Sequence, residues 1–245
     1  MMGHRLNGKR VLVIGGAKYL GKSVAQAAAD EGAVVVLGAR DEKLAWSVVA
    51  ELGGDHAQDH SAIHLDVADE PSILAAAQSL GEVDHVVITA SAHHNVPVAD
   101  LEHDGILNAV EAKIIGPMLV AKHFAPRMPS TGSFLLFSGT AAWNPSAGLT
   151  VMGVTNGAVA FIASQLAHEL APVRVNAISP GITDSGTWDD LDEEGRTGMY
   201  DSAAAGSLAG RVGTTDDIAD AAVWLLAAEY VSGETIHVDG GSRHA

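Results

Sequence analysis

The chain has 245 residues, enough for one large α/β domain or two small ones; 47% are hydrophobic but only 4% aromatic, so the core must be packed largely from small side chains. A formal net charge of −16 argues against a protein that lies along a nucleic-acid backbone; a solubilising acidic surface is the simpler reading, with room for a local basic pocket. With no cysteine, disulfides, thiolate catalysis and cysteine-ligated zinc or iron–sulfur clusters are excluded.

In chain order, the N-terminal MMGHRLNGKR carries no apolar signal core, and no run approaches the roughly 18 apolar residues of a membrane span. A cytoplasmic protein that binds neither membrane nor nucleic acid is expected. A β-branched run predicts a strand over 11–14, followed by a helix over 19–31. Strand 34–37 leads to helix 42–52, and strand 62–65 to helix 71–80, whose Pro71 suits a first helical turn. Strand 86–89 leads to a long helix over 101–124, and strand 134–137 to helix 149–170. Strand 173–178 opens a polar, irregular excursion over 181–210. Helix 216–228 and strand 235–238 close the chain. Alternation at this spacing predicts an α/β fold, a parallel sheet with helices on both faces. No repeat or linker divides it, so 1–245 is expected as a single domain. The excursion is too long for an ordinary connection and is expected to form a substrate lid at about 183–210.

The first strand runs into GGAKYLGKSVA. Gly15 and Gly16 permit a tight turn, and Gly21 lets the next helix pack closely on the sheet, so the helix N-terminus faces a pyrophosphate with free N–H groups. The alternative is an ordinary strand–helix turn. The second strand ends LGARDEK, with Ala39 and Arg40 where an NAD-preferring dinucleotide fold places an acid. Arg40 and Lys18 are suited to a 2′-phosphate, which favours NADP(H) over NAD(H); otherwise both are solvated surface cations.

These segments, with DHVVITAS over 84–91, RVNAISPGITDS over 174–185, GRVGTTDDIADAA and the terminal GETIHVDGG, resemble the classical short-chain dehydrogenase/reductase family over nearly the whole chain. Its TGxxxGxG turn matches 14–21, with Tyr19 at the central glycine. The resemblance implies a Rossmann-like, doubly wound, seven-stranded parallel sheet, NAD(P)(H) at the strand C-termini, hydride transfer to or from a carbonyl or alcohol, and a homotetramer or homodimer. It implies cofactor contacts from Gly15, Lys18, Tyr19, Leu20 and Gly21; from Arg40, and from Asp66 and Val67 beside adenine; and from Ala90, Ser91, Asn156, Pro180, Gly181, Ile182 and Thr183.

The family's catalytic Asn, Ser, Tyr and Lys fall here on Lys113, Gly139, Met152 and Asn156, so all four differ. Hydride addition to a carbonyl creates an alkoxide that must be stabilised and protonated, and Met152 can do neither. Lys113 and Asn156 suggest an exchange of places between two packed helices. Asn156 would then meet the nicotinamide ribose, and Lys113 would supply charge or a proton. The alternative is a Lys113 that snorkels to solvent and an Asn156 that fills space. Ser138 and Thr140 flank the vacant serine position, but neighbouring strand residues point to opposite faces. His93 and His94 follow the fourth strand and titrate near neutrality, and Tyr200 is a further phenol in the lid. His56, His60 and His64 have metal-binding spacing only on a helix, which Gly53-Gly54 interrupts; no metal is expected. Trp143 and Trp188 suggest an apolar or aromatic substrate. The leading expectation is an NADP(H)-binding oxidoreductase with a noncanonical active site acting on a small organic substrate. The alternatives are a catalytically inactive cofactor-binding sensor or partner subunit, and a non-redox isomerase or lyase on the same scaffold.

Overall fold

The computed structural model describes residues 4–189 and 191–245. Seven parallel strands form the sheet: β1 (Arg10–Ile14), β2 (Val34–Ala39), β3 (Ser61–His64), β4 (His85–Ile88), β5 (Ser133–Phe137), β6 (Arg174–Pro180) and β9 (Thr235–Val238). Their order is β3-β2-β1-β4-β5-β6-β9. A two-residue pair, β7 (Thr183–Asp184) with β8 (Gly213–Thr214), lies apart from it. The helices are α1 (Tyr19–Asp30), α2 (Glu42–Val49), α3 (Glu70–Leu80), α4 (His103–Val110), α5 (Gly116–Phe124), α6 (Thr150–Glu169), α7 (Glu193–Ala205) and α8 (Thr215–Ala227). This is the doubly wound, Rossmann-like arrangement expected from the sequence.

The apolar runs are strands because both of their faces are covered. Val11 and Val13 enter one core with Ala25, Ala28 and Ala29 of α1 and Ile218 and Ala222 of α8. Leu12 and Ile14 enter the opposite core with Ile73 of α3, Phe124 of α5 and Ala163 of α6. Small side chains on α1 let it lie close to the sheet. An Asp41 carboxylate capping Leu44 N–H fixes the start of α2, and a reciprocal Thr214–Asp217 capping box fixes that of α8. The chain leaves β1 for β2 on one side and resumes at β4 on the other. That reversal opens a crevice at the strand C-termini, where ligands of such sheets bind.

Two expectations need correction. The excursion over 181–210 is not irregular throughout, since it contains β7 and the helix α7, started by Asp192 accepting from Gly195 N–H. The helix over 101–124 is continuous but widens into a π-turn at Glu111–Ile115, where Gly116 N–H reaches the Glu111 carbonyl. Pro117 supplies the reason: lacking an N–H, it cannot return a bond to Lys113 four residues earlier. Among the described residues α6 is the one helix long and apolar enough to cross a membrane; here it lies on the sheet, burying Val151, Val159 and Ala163.

At the sheet's other end His85 is 4% exposed and its Nδ1 lies 2.9 Å from Ser133 Oγ. Burial lowers its pKa to about 4, against a smaller upward pull from Asp84. The folded value lies below the unfolded one. Stability from this group is therefore complete above about pH 6.5 and is lost as pH falls toward 4, about 3 kcal/mol in all. Urea midpoints should fall from pH 7 to pH 5, and His85→Asn should flatten that fall; equal pH slopes would refute the assignment.

Candidate active site

β1 ends in Gly15, whose φ of +84° favours glycine. A Cβ at Gly15 would stand 2.7 Å from Thr89 Oγ1 and 2.9 Å from Ala90 N, and one at Gly21 would stand 2.7 Å from Thr89 Oγ1. Glycine at both positions therefore lets the turn and α1 press against the end of β4. Lys18, at the N-cap of α1, makes no side-chain capping bond, so the first-turn N–H groups are available to an anion. Tyr19 follows with φ 50°, a left-handed conformation that strains a non-glycine residue by about 1–2 kcal/mol. Lys18 and Arg40 are exposed, and neither forms an ion pair among the described residues. At β3's end, Asp66 Oδ1 accepts from Ala68 N–H at 3.0 Å. A cradle of uncapped amides with two unpaired cations beside it fits a phosphorylated dinucleotide.

This turn opens one cleft of about 1870 Å³. Every proposed cofactor contact lines it, from Gly15 and Lys18 through Arg40, Asp66, Ala90 and Ser91 to Asn156 and Thr183. Lys113, Ser138, Gly139, Met152 and His93 line it too.

On its floor, Lys113 Nζ donates to Asn156 Oδ1 at 2.6 Å. The π-turn carries the lysine and α6 the asparagine, both buried at 8% and 4% exposure. Lys113 therefore does not snorkel. Desolvation lowers its pKa to about 8. Gly139 completes the group: a Cβ there would stand 2.7 Å from Asn156 Nδ2, so the absent side chain is the space the amide occupies. Gly139 has φ 174°, extended backbone open to any residue, so the restriction is steric and local.

Other candidates are turned elsewhere. Ser138 Oγ donates to the Asn156 carbonyl at 2.7 Å, which commits the hydroxyl to holding α6 on β5. His93 stands exposed at the cleft wall, its pKa lowered chiefly by desolvation and further by Lys113. His94 Nε2 accepts from Glu102 N–H at 3.0 Å, and its ring covers Gly105. Tyr200 donates its hydroxyl to Asp184 at 2.9 Å, and its pKa is raised to about 12 by desolvation and that contact. Trp143 is not in the cleft wall; its ring meets His237 edge-on at 4.5 Å, while Trp188 does line the cleft. His60 Nδ1 accepts from Val35 N–H, and His64 Nδ1 bonds the Arg40 carbonyl, so the three histidines do not converge. The described residues hold no cluster of three or more potential metal ligands. Sequence reasoning missed His237, because nothing in its local pattern shows that β9 delivers it to this cleft.

A family model described as "Enoyl-(Acyl carrier protein) reductase" matches residues 15–243, spanning the cradle, the cleft floor and the last strand. The chain belongs to the short-chain dehydrogenase/reductase family. As a family member it has the scaffold of an oxidoreductase that binds a nicotinamide cofactor and a small-molecule substrate. It is 31% identical to the short-chain dehydrogenase/reductase ucsE of Acremonium sp, over 97% of this chain and 96% of that one. It is 32% identical to the short-chain reductase protein NovJ of Streptomyces niveus, over 94% and 92%. A crystallised small-chain dehydrogenase in complex with NADPH superposes with a TM-score of 0.84 at 30% identity, covering 98% of this chain and all of that one (100%).

Proposed function

We propose that this short-chain dehydrogenase is an NADP(H)-dependent oxidoreductase with a noncanonical active site. It would transfer hydride to or from a small organic substrate that needs little acid assistance, such as an iminium or an activated double bond. The observation that carries this is the buried Lys113–Asn156 bond where the family places Asn and Lys in the opposite order. The α1 N-terminus and Gly15 would hold the pyrophosphate, Lys18 and Arg40 the 2′-phosphate, Asp66 and Val67 the adenine, and Pro180, Gly181, Ile182 and Thr183 would border the nicotinamide. Bound there, the cofactor supplies the hydride. Lys113 holds an exchangeable proton at Nζ, and Asn156 orients it through Oδ1. Met152 on the cleft wall keeps that region apolar and contributes no proton. The lid, from β7 through α7, closes the cleft from water. The NADPH complex of the 30%-identical relative supports the choice of coenzyme.

NADPH binding followed by fluorescence, with turnover followed by nicotinamide absorbance over carbonyls, imines and enones, tests the reading. Turnover on imines or enones supports it, and no NADPH binding overturns it. Tight binding with no turnover on any compound identifies the sensor instead, the alternative that Met152 favours; isomerisation or elimination products without NADPH consumption identify a non-redox enzyme. Arg40→Ala should weaken NADPH binding by about 10- to 100-fold, the worth of one or two charge-assisted hydrogen bonds, and change NADH affinity little. Equal losses for both coenzymes would remove Arg40 from the phosphate site. On the outer face of α5 and α6, Met118, Val154 and Phe161 are 42%, 65% and 75% exposed, which supports self-association as a homodimer or homotetramer, measurable by light scattering.

A further inference from the structure

Lys113 sits on the cleft floor in the surroundings of a nucleophile rather than those of a structural cation. It is 8% exposed and lines the cleft, and no carboxylate offsets the cost of burying its charge. Its Nζ has a single hydrogen-bond partner among the described residues, Asn156 Oδ1 at 2.6 Å. An amide oxygen accepts that bond without the full negative charge that would hold the amine protonated. A neutral Nζ therefore donates one N–H to Asn156 and keeps its lone pair free. Desolvation works in the same direction. With the pKa lowered to about 8, about one such amine in ten is neutral at pH 7, against roughly one in 2,500 for a solvated lysine. Desolvated lysines in apolar pockets are the ones that form Schiff bases with carbonyl compounds.

The rest of the cleft suits that reaction. Ala141, Leu149, Met152 and Trp188 line it with apolar surface that accepts a hydrocarbon or aromatic tail. His93 lines it within electrostatic reach of the lysine. Desolvation first, then the Lys113 charge, lowers its pKa, so near neutrality it is an imidazole able to relay a proton. In the reaction, the Nζ lone pair attacks the carbonyl carbon and the C=O electrons move to oxygen. The oxygen takes up protons and departs as water while the C=N bond forms. One aldehyde, one amine and one proton give one iminium and one water, with nothing oxidised or reduced. Hydride added at the C=N carbon would leave the product tied to the protein as a secondary amine. In an aldehyde conjugated to C=C, hydride from a reduced nicotinamide adds instead to the far carbon. The resulting enamine takes a proton at carbon, and water then releases the saturated aldehyde and the free lysine. Conjugation is therefore what lets such a site turn over.

We propose that Lys113 is a covalent carbonyl-binding residue, which takes an α,β-unsaturated aldehyde with an apolar tail as an iminium held beside Asn156. Calling that aldehyde a substrate rests on the oxidoreductase reading; the covalent site itself does not. The site is tested on the wild-type protein without turnover, by adding limiting cinnamaldehyde at pH 7 with cyanoborohydride to trap iminium. Proteolysis and mass spectrometry then locate the adducts, with the exposed Lys43 as internal reference. Lys113 should be trapped at least about tenfold faster than Lys43, because far more of it is neutral. Its peptide should gain the mass of the aldehyde less one oxygen atom. In urea, where burial is lost, the two lysines should react alike. Trapping of Lys113 no faster than Lys43 overturns the proposal. So does an adduct that keeps the oxygen, which marks conjugate addition, or a preference for Lys113 that survives in urea. NADPH fluorescence on the same protein separates the two readings. NADPH binding without the Lys113 iminium removes the covalent site alone, and the iminium without NADPH binding removes the oxidoreductase reading alone.

Discussion

Lys113→Met should cut turnover of an activated double bond, whose reduction leaves an enolate to be protonated, by about 10²-fold, the lower end of the usual worth of a positioned proton donor, and should leave an iminium almost unaffected. The pair variant Lys113→Met with Asn156→Leu should at the same time unfold at a higher temperature than the wild type. Desolvation lowers the lysine pKa from 10.5 to about 8, so at pH 7 the folded protein holds a buried ammonium that costs about 3 kcal/mol relative to the unfolded chain. The sign follows from the direction of the shift. With the folded value below the unfolded one, the stability linked to this group is complete above about pH 10.5 and is lost as pH falls through 8. Removing the lysine removes the penalty. Removing Asn156 with it avoids leaving Oδ1 without its donor, and an apolar pair in place of a buried polar one is often stabilising by about 1–4 kcal/mol. In a domain of this size each kcal/mol moves Tm by about 2–4 °C. Calorimetry at several pH values checks the argument: the variant's advantage should be largest at pH 7 and shrink toward pH 10. An advantage that does not change with pH would mean that Lys113 is not the buried cation described here. Unchanged turnover would remove it from the chemistry.

Gly139→Ser alone should be damaging, although it restores a family catalytic residue. Its Cβ would stand 2.7 Å from Asn156 Nδ2, closer than side-chain carbons pack. Asn156 would have to move and release Lys113. Overpacking of this kind costs about 1–3 kcal/mol. Asn156→Ala empties the space, so in the double variant the serine should be almost neutral, giving a coupling energy of about 2 kcal/mol in a denaturation cycle. Gly139→Ser, Met152→Tyr, Asn156→Lys and Lys113→Asn together should yield a carbonyl reductase, read as NADPH oxidation over a carbonyl panel. A fully stable single Gly139→Ser variant would show that these positions are not interlocked.

These predictions depend on contacts that local pattern could suggest only in part. The apolar runs at 11–14, 86–89 and 134–137 marked strands because a parallel sheet buried on both faces needs short, nearly uninterrupted apolar sequence, and β1, β4 and β5 are buried almost throughout. Gly15 and Gly21 marked the cradle because the close approach there excludes a Cβ. Helix α7 escaped notice because EEGRTGMYDSAAA buries no residue and so has no apolar stripe to read. The π-turn escaped because Pro117 falls inside one continuous helical stretch, and only the hydrogen bonds show how the backbone passes it.

Sequence alone was thus sufficient for the alternation of strands and helices and for the close-packed glycine turn after β1, since each is a matter of neighbouring residues and short-range backbone constraint. Folding decided the rest. Lys113 and Asn156 lie on different helices, and Ser179 and His237 on strands separated by α7 and α8, so whether they touch depends on packing and register. Desolvation by that same packing lowers the pKa of a surface-type lysine and leaves Ser179 Oγ and His237 Nδ1 buried without hydrogen-bond partners among the described residues.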